Sequence, residues 1–588
     1  MVHQFHIPVL GLGYSIDTPL KVARYGISSV VSIVDDELTE RMREYHAKLN
    51  QLPFKKIGKE EEDFRCRRII AYLNLLNDLV TDQFEQLKKQ EFIPGNDICR
   101  YFELLPEGSK LKSGYELMME YPEGEQKQIF QQLLRNAMVK GAIDVNIMSK
   151  VDKLNFDKHG TYLGDENTDA LSALRGFVGS TLNSSVILSA GMNPRLYGYI
   201  ESFPNFLPNA AANMRKQIIL KVSDFRSAFI QAKFLAKKGI WVSEFRVESG
   251  LNCGGHAFAT DGFLLGPILE DFKQNRQSML DVLYELYSTA LVSKGIFLTE
   301  LPKQKVTVQG GIGTAGENEF LLTHYQLDAT GWGSPFLLVP EVTNVDEGTL
   351  NQLANAQASD FYLSNSSPLG VLFNSFRQST AERQRLDRIQ AGKPGSPCTK
   401  KYLCTNTEFT KEPICTASSK YQKMKIKQLK GMEVDPLEFQ ERFDKITEKL
   451  CLCEGLCTSA YLKTDLIKPK ESRAVAVCPG PNLSFFNQVY SLDEMVKHIY
   501  GSLNLLEKVK RPHLFINELN LYIDYLQKEV QLQLQDINDK KKKYLGNFKE
   551  QLLRGVNYYK TLFTDLSKPE MCINDLLAAE IRLRATSI

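Results

Sequence analysis

The sequence predicts an α/β fold, a closed (β/α)8 TIM barrel, carrying a helical insertion, a Cys-rich segment and a C-terminal helical region. Three observations point there. Eight short apolar or β-branched runs recur between residues 7 and 334. Helical patterns separate most of them, and several runs are apolar without alternation, as expected of parallel strands buried on both faces. A chain of 588 residues, 43% hydrophobic and 24% charged, also has the material for one large core with satellites.

The run "IPVLGLG" (7–13) opens the series. In "DTPLKVARYG" Thr18 stands as an N-cap, Pro19 takes the first helical position and Gly26 is the stop. "SSVVSIV" (28–34) is the second strand. A connection over about 36–141 then precedes the third, long for a βα loop and rich in helical pattern, as in "DELTERMREYHAKLNQL" and "CRRIIAYLNLLNDLVTDQFEQL". Strands three to eight follow as "AIDVNIM" (142–148), "SSVILSAG" (184–191), "QIILKVS" (217–223), "GIWVSEFRVESG" (239–250), "KVTVQGG" (305–311) and "DATGWGS" (328–334). The barrel domain is thus 1–395, the Cys-rich segment 396–485 and the helical region 486–588. In that last region "SLDEMVKHIYG" offers a capping box, Ser491 with Glu494, and a Gly501 stop. Ile516, Leu519, Ile523, Leu526, Val530, Leu534 and Ile537 form a stripe at spacings of three and four. Packing against the barrel is the reading of the stripe, with a dimerising coiled coil, and hence a homo-oligomer, as the other.

Charge and hydropathy exclude several partners. The 72 basic and 70 acidic side chains nearly cancel, so no field favours nucleic acid or an anionic membrane, and "DKKKKYLG" reads as a solvated helix. The start, "MVHQFHIPVLGLGYS", lacks a charged region followed by a long apolar run, and no stretch of about 18 apolar residues occurs. The expectation is a cytoplasmic protein acting on a small molecule.

The glycines carry the first chemical signal. Gly310, Gly311 and Gly313, with Ile312 between, close strand seven, and Thr314 with Glu317 has the form of a capping box. Gly331, Gly333 and Ser334 close strand eight. In a barrel these two loops commonly bind phosphate, because glycine lets the backbone approach an anion and a helix start presents free N–H groups; tight turns are the structural alternative. Strand six is the second signal. In "VSEFRVESGLNCGGHAFATDG" it is expected to deliver Glu244, Arg246 and Glu248, then Asn252, Cys253, Gly254, Gly255 and His256, to the catalytic rim. An imidazole there can move a proton near neutrality. Cys253 could be a thiolate nucleophile or a small gap-filling residue. Asn146, Lys150, Lys153, Asn193 and Arg195 follow strands three and four and are candidates to face the pocket.

The ordered motifs "IILKVSDFRSAFIQAKFLAKKGIWVSEFRVESGLNCGGHAF", "VTVQGGIGTA" and "DATGWGSPFL" resemble the nitronate monooxygenase (2-nitropropane dioxygenase-like) family of FMN-dependent barrels, which includes flavin enoyl reductases. The resemblance implies FMN, with His256 at the active-site position, Gly254 and Gly255 beside it, and Gly310, Gly311, Ile312, Gly331, Gly333 and Ser334 in the phosphate loops. Asn252 and Cys253 stand where the family has Glu-Ala, so any role of that Glu is absent here or performed by Glu248; "PVLGLGYS" lacks the family's Ala-Pro-Met, and neither the insertion nor the tail belongs to it. The expected function is oxidation of a small carbanion-forming substrate over flavin with His256, Glu248 and Cys253 as catalytic candidates. The alternatives are an enoyl reductase using a nicotinamide, and a non-catalytic barrel that holds a phosphate ligand while its appendages bind a partner.

Seven of the eleven cysteines fall between residues 398 and 478. Their spacings match no common zinc finger. Soft thiolates suit an iron–sulfur cluster, and the Cys-x5-Cys step just past the barrel resembles the FMN barrel of glutamate synthase, which carries one. Cys398, Cys404 and Cys415 are the candidate metal ligands, against the reading that these are buried small apolar side chains.

Overall fold

The computed structural model describes residues 2–149, 151–157, 159–189, 191–254, 261–531, 539–565 and 569–588. Eight parallel strands close a barrel in sequential order: β1 Phe5–Ile7, β2 Ser28–Ser32, β3 Ile143–Asn146, β4 Ser184–Leu188, β5 Lys216–Val222, β6 Val242–Glu248, β7 Lys305–Gln309 and β8 Ala329–Gly331. The ring shuts where Phe5 pairs with Thr330 and His6 with Gly331. Seven strands fall on the runs expected from sequence. The first is displaced: it is "FHI", ending where Pro8 removes a backbone donor, so the glycines of "GLG" belong to the loop above it.

Local rules explain most boundaries. The first helix, Thr18–Val22, has Asp17 rather than Thr18 at the N-cap; the Asp17 side chain makes no cap bond, being engaged by Lys21, His46 and Asn344. Gly26 ends the following turn at φ +83°. The insertion is five helices, Asp36–Leu49, Phe64–Lys89, Asp97–Glu103, Lys110–Glu120 and Glu125–Ala137. Ser491 and Glu494 form the expected capping box, and Gly501 closes that helix at φ +86°.

After the barrel the chain folds back across it. A two-stranded antiparallel sheet, β9 Phe361–Ser364 and β10 Phe373–Phe376, is an element that the sequence reading missed. Helices Leu514–Gln531 and Asp539–Leu562 pack on the long barrel helix Leu265–Ser293, sharing one apolar core with the strands. Ile516, Leu519, Ile523 and Leu526 are fully buried within the chain, which is the packing reading of the stripe; Leu534 and Ile537 lie outside the described residues. Among the described residues no helix is long and apolar enough to cross a membrane.

The barrel interior is unusual in its chemistry. Branched apolar side chains normally fill it, yet here Val30, Ile187 and Ile219 form only a small patch. Alternation along β6 instead sends Glu244, Arg246 and Glu248 inward. Arg246 pairs with Glu244 at 2.7 Å and reaches toward Asp144 of β3 at 3.8 Å, while the Thr307 hydroxyl donates to Glu244 at 2.6 Å. The sequence expectation that Glu244 and Arg246 reach the C-terminal rim is thus corrected: they line a chamber of about 170 Å3 at the N-terminal end of the strands.

Candidate active site

At the opposite, C-terminal end lies a cavity of about 130 Å3. Its floor is polar, from Ser32, Asn146, Ser189, Lys221 and Glu248 on β2 to β6 and the residue following β4; its roof is apolar, from Leu369, Phe373, Tyr402, Leu403, Leu452 and Leu456 of the post-barrel segment. Sites for drug-sized ligands begin at roughly 300 Å3, so the space suits the reacting end of a small molecule rather than a dinucleotide.

Glu248 is the centre of the floor. Lys221 donates to its Oε1 at 3.1 Å, Asn252 at 2.7 Å and Gln309 at 2.7 Å. All three converge on one carboxylate oxygen of a side chain that is only 3% exposed, so the anion is well compensated. The Oε1 of Gln309 and Nε2 of His6 are buried without hydrogen-bond partners among the described residues, and a Cβ on Gly331 would strike both Gln309 and His6. Gly331 is thus the last residue of β8 and makes room for those two side chains inside the barrel, a packing reason for a glycine that sequence placed in a phosphate loop.

The remaining loop glycines make close approaches. A Cβ on Gly310 would lie 3.0 Å from the Asn252 backbone, one on Gly311 2.5 Å from the Leu251 side chain, and one on Gly333 3.2 Å from Cys253, with φ at +104° and +82° for the first two. The loops after β6, β7 and β8 are therefore pressed together. Within them the backbone N–H groups of Gly310, Gly311, Ile312, Gly333 and Ser334 find no acceptor among the described residues. Free backbone donors are what a phosphate loop offers; none of these five residues lines the mouth cavity. Thr314 caps the next helix, but Glu317 does not complete the expected box: its carboxylate accepts from Gly313 N–H at 2.9 Å and from Leu514 N–H at 2.7 Å and pairs with Arg511 at 2.6 Å. Burial pushes Glu317 up, but Arg511, His513 and the Gly313 N–H together leave the carboxyl below its ordinary range. Arg511 also donates to the Gly311 carbonyl, which ties the C-terminal region to this loop.

Cys253 does not have the environment of a nucleophile. It is 2% exposed and donates to the Cys478 carbonyl at 3.1 Å, and burial pushes its thiol well above the usual range. Low exposure and a raised value keep it protonated, the reverse of what a thiolate needs. Gly254, at φ +76°, lines the cavity and packs against Val9 and Leu10; Gly255 and His256, like Lys150, lie outside the described residues. Asn146 faces the cavity as expected, whereas Asn193 caps the helix Pro194–Ile200 and Arg195 sits on the surface near Asp152 and Asp165. Lys221 and Gln309 were not foreseen. Their signal was a lone charged or amide residue at an inward position of an otherwise apolar strand.

The roof is fastened by charge. Asp35, fully buried just after β2, caps the helix Asp36–Leu49 and pairs with Lys400; it also accepts from Tyr402 at 3.1 Å and Cys457 at 3.3 Å. Burial raises Asp35, but Lys400 and these donors carry it below its ordinary value. Asp36 meanwhile holds Arg65 and Arg68 at 2.8 Å each. Close by, Cys398 and Cys404 stand 3.9 Å apart, sulfur to sulfur, packed with Cys415 and Ala417. Among the described residues no three His, Cys, Asp or Glu side chains are placed as a ready ion site.

No protein-family profile matches the chain, and no curated protein matches it. Among solved structures it is similar to the enoyl reductase domain of MlnA from the macrolactin biosynthesis cluster of Bacillus amyloliquefaciens, at 13% identity and a TM-score of 0.33, over 70% of this chain and 87% of that one. A likeness at that level bears no argument about activity.

Proposed function

We propose that this barrel is an FMN-dependent oxidoreductase of the nitronate monooxygenase-like type, acting on a small carbanion-forming substrate at its C-terminal mouth. The observation that carries the reading is the set of free N–H donors on Gly310, Gly311, Ile312, Gly333 and Ser334, at the ends of the last two strands. They would hold the FMN phosphate. Bound FMN would supply two-electron acceptance and donation.

The chain supplies the rest. The Lys221 ammonium, held by Glu248 at the cavity floor, is placed to donate to an oxygen that gains negative charge on the substrate. Glu248, fixed by three donors, orients Lys221 and balances its charge. The apolar roof excludes water, which strengthens both interactions. His256, three residues past Cys253, is the proposed carrier of the substrate proton.

The test is direct. Purified protein should be yellow, release FMN on denaturation, and bleach anaerobically with alkyl nitronates. His256→Asn should keep its flavin and slow that bleaching by about 10²–10⁴-fold. Folded protein that neither contains nor takes up FMN would overturn the reading; bleaching by a nicotinamide alone, followed by reoxidation with an enoyl thioester, would replace the substrate class.

A further inference from the structure

We infer that a second cavity, behind the roof of the barrel mouth, is a binding site for a phosphate group, either as the free ion or as the head of a small phosphomonoester. The cavity measures about 220 Å3, against about 130 Å3 for the mouth itself. Its walls come from the helix Thr380–Gln390, the turn at 395–397 and the segments 449–455 and 470–474. Charge marks it out: Arg385, Arg388, Lys449 and Lys470 line it, against two carboxylates, Glu454 and Glu471. Those carboxylates are already engaged, since both oxygens of Glu471 accept from Arg41 and Glu454 takes the Ser472 N–H. Of the cations, Arg385 is paired with Glu382, whereas Arg388, Lys449 and Lys470 are in no ion pair among the described residues.

Two of these three are not loose surface charges. Arg388 Nη1 donates to the Gly395 carbonyl at 2.6 Å, and Lys449 Nζ donates to the Asn365 and Ser367 carbonyls at 2.5 and 3.2 Å. Both residues are half-buried, and burial holds the Lys449 ammonium below its ordinary value in spite of the neighbouring Glu448. The turn that Arg388 grips is fixed in its own right. Gly395 takes φ +84°, where a Cβ would lie 2.7 Å from the Ser419 backbone, and Ser396 N–H to Ala417 O and Ser419 N–H to Ser396 O, at 2.9 and 2.8 Å, hold the chain on either side. Cations held in advance by carbonyls lose little freedom on meeting an anion. The helix Leu452–Lys463 adds its positive end: its N-cap Cys451 makes no side-chain cap bond, and Cys451, Glu454 and Gly455 line the cavity. Three cations without acid partners call for more than one negative charge, which a phosphomonoester carries near neutrality and a single carboxylate does not.

The wall between this cavity and the mouth is one helix thick. Leu452, Cys453 and Leu456 line the mouth, while Cys451, Glu454 and Gly455 line the second cavity. A phosphate bound there stabilises the folded chain by mass action and braces the roof from its outer side. This inference does not depend on FMN.

The experiment is isothermal titration and thermal unfolding of the full chain with inorganic phosphate and, separately, glycerol phosphate, at fixed ionic strength with chloride and acetate as controls. Both phosphates should bind and raise the melting temperature, and neither control should. Tighter binding of the ester identifies a phosphomonoester as the ligand class; equal binding identifies the free ion. Arg388→Met should weaken binding by about 10- to 100-fold, the range for a hydrogen bond to a charged group. Lys470→Ala, which removes an exposed charge, should weaken it by about two- to fivefold. Arg383→Ala, on the exposed face of the same helix as Arg388, should bind like the wild type. Circular dichroism establishes folding, and Lys470→Ala carries the test if Arg388→Met does not fold. Absence of binding by either phosphate would overturn the inference. So would binding that folded Arg388→Met and Lys470→Ala leave unchanged, which would put the phosphate on the loops after β7 and β8 instead.

Discussion

The two ends of the barrel carry similar charges and opposite surroundings. At the N-terminal end Arg246 pairs with Glu244 beside Asp144; at the C-terminal end Lys221 pairs with Glu248. Both pairs use β6, one alternating strand serving each end. Yet the lower chamber is lined mostly by polar and charged side chains, of which the Ser184 and Ser243 hydroxyls have no hydrogen-bond partner among the described residues, while the upper cavity is roofed by leucines and aromatics. Charge alone does not single out a site. What distinguishes the mouth is the later chain laid over it, together with free backbone donors on the adjoining loops.

That contrast can be broken most sharply by removing the two cations. Each of Lys221→Met and Arg246→Met strands a buried carboxylate and should cost about 3–5 kcal/mol in urea unfolding. Only Lys221→Met should in addition slow flavin reduction by the substrate, by about 10²–10³-fold, the usual loss for one donor to a developing oxyanion. Equal kinetic losses in both would mean that the two ends work as one column.

A smaller effect sharpens the same comparison by pH. Burial pushes Asp144 up to about 6, against the pull of Arg246, and Glu518 up to about 7, against the Leu265, Ser249 and Gly250 donors near the mouth. A carboxyl raised by folding contributes stability that is full below its unfolded value and is lost as pH rises through its folded value. The melting temperature should therefore decline between about pH 4 and 7. Asp144→Asn should remove the part ending near 6 and Glu518→Gln the part ending near 7. A profile unchanged in both variants would show that neither group titrates in the folded chain.

The smallest expected change is Thr314→Ala, which removes the cap of the helix after β7 and should cost about 1 kcal/mol. It leaves the free donors of Gly310 and Gly311 in place, so flavin occupancy should hold; loss of flavin with so modest a destabilisation would tie phosphate binding to the helix start itself.

The sequence made the barrel legible because its strands are short runs of β-branched residues between helices, a pattern that tertiary context reinforces. Pro8 explains the misplaced first strand: an apolar run was read through a residue that cannot donate. The β9–β10 pair was hidden in "DFYLSNSSPLGVLFNSF", where Ser and Asn interrupt the alternation. Glu248 was legible as the end of a strand entering the rim, whereas Glu244 and Arg246 were assigned to that rim because distance along a strand does not reveal depth in a barrel. Lys221 and Gln309 were missed for the same reason. The grouping of Cys398, Cys404 and Cys415 was visible from their nearness in sequence, whereas the packing of Cys453 with Leu403, Leu452 and Cys478 depends on long-range folding.

The Asp35 anchor also orders events in time. Tyr14 donates to the carbonyl of Ala476, 462 residues later, and Asp35 awaits Lys400, 365 residues later. Such contacts form only after long loop closures. On a ribosome the strands would be complete while Asp35, made to be buried with a cation, still faced water. An emerging chain would therefore expose an unroofed mouth until residues beyond 476 had left the exit tunnel, and a ligand arriving in that interval would meet the floor before the roof.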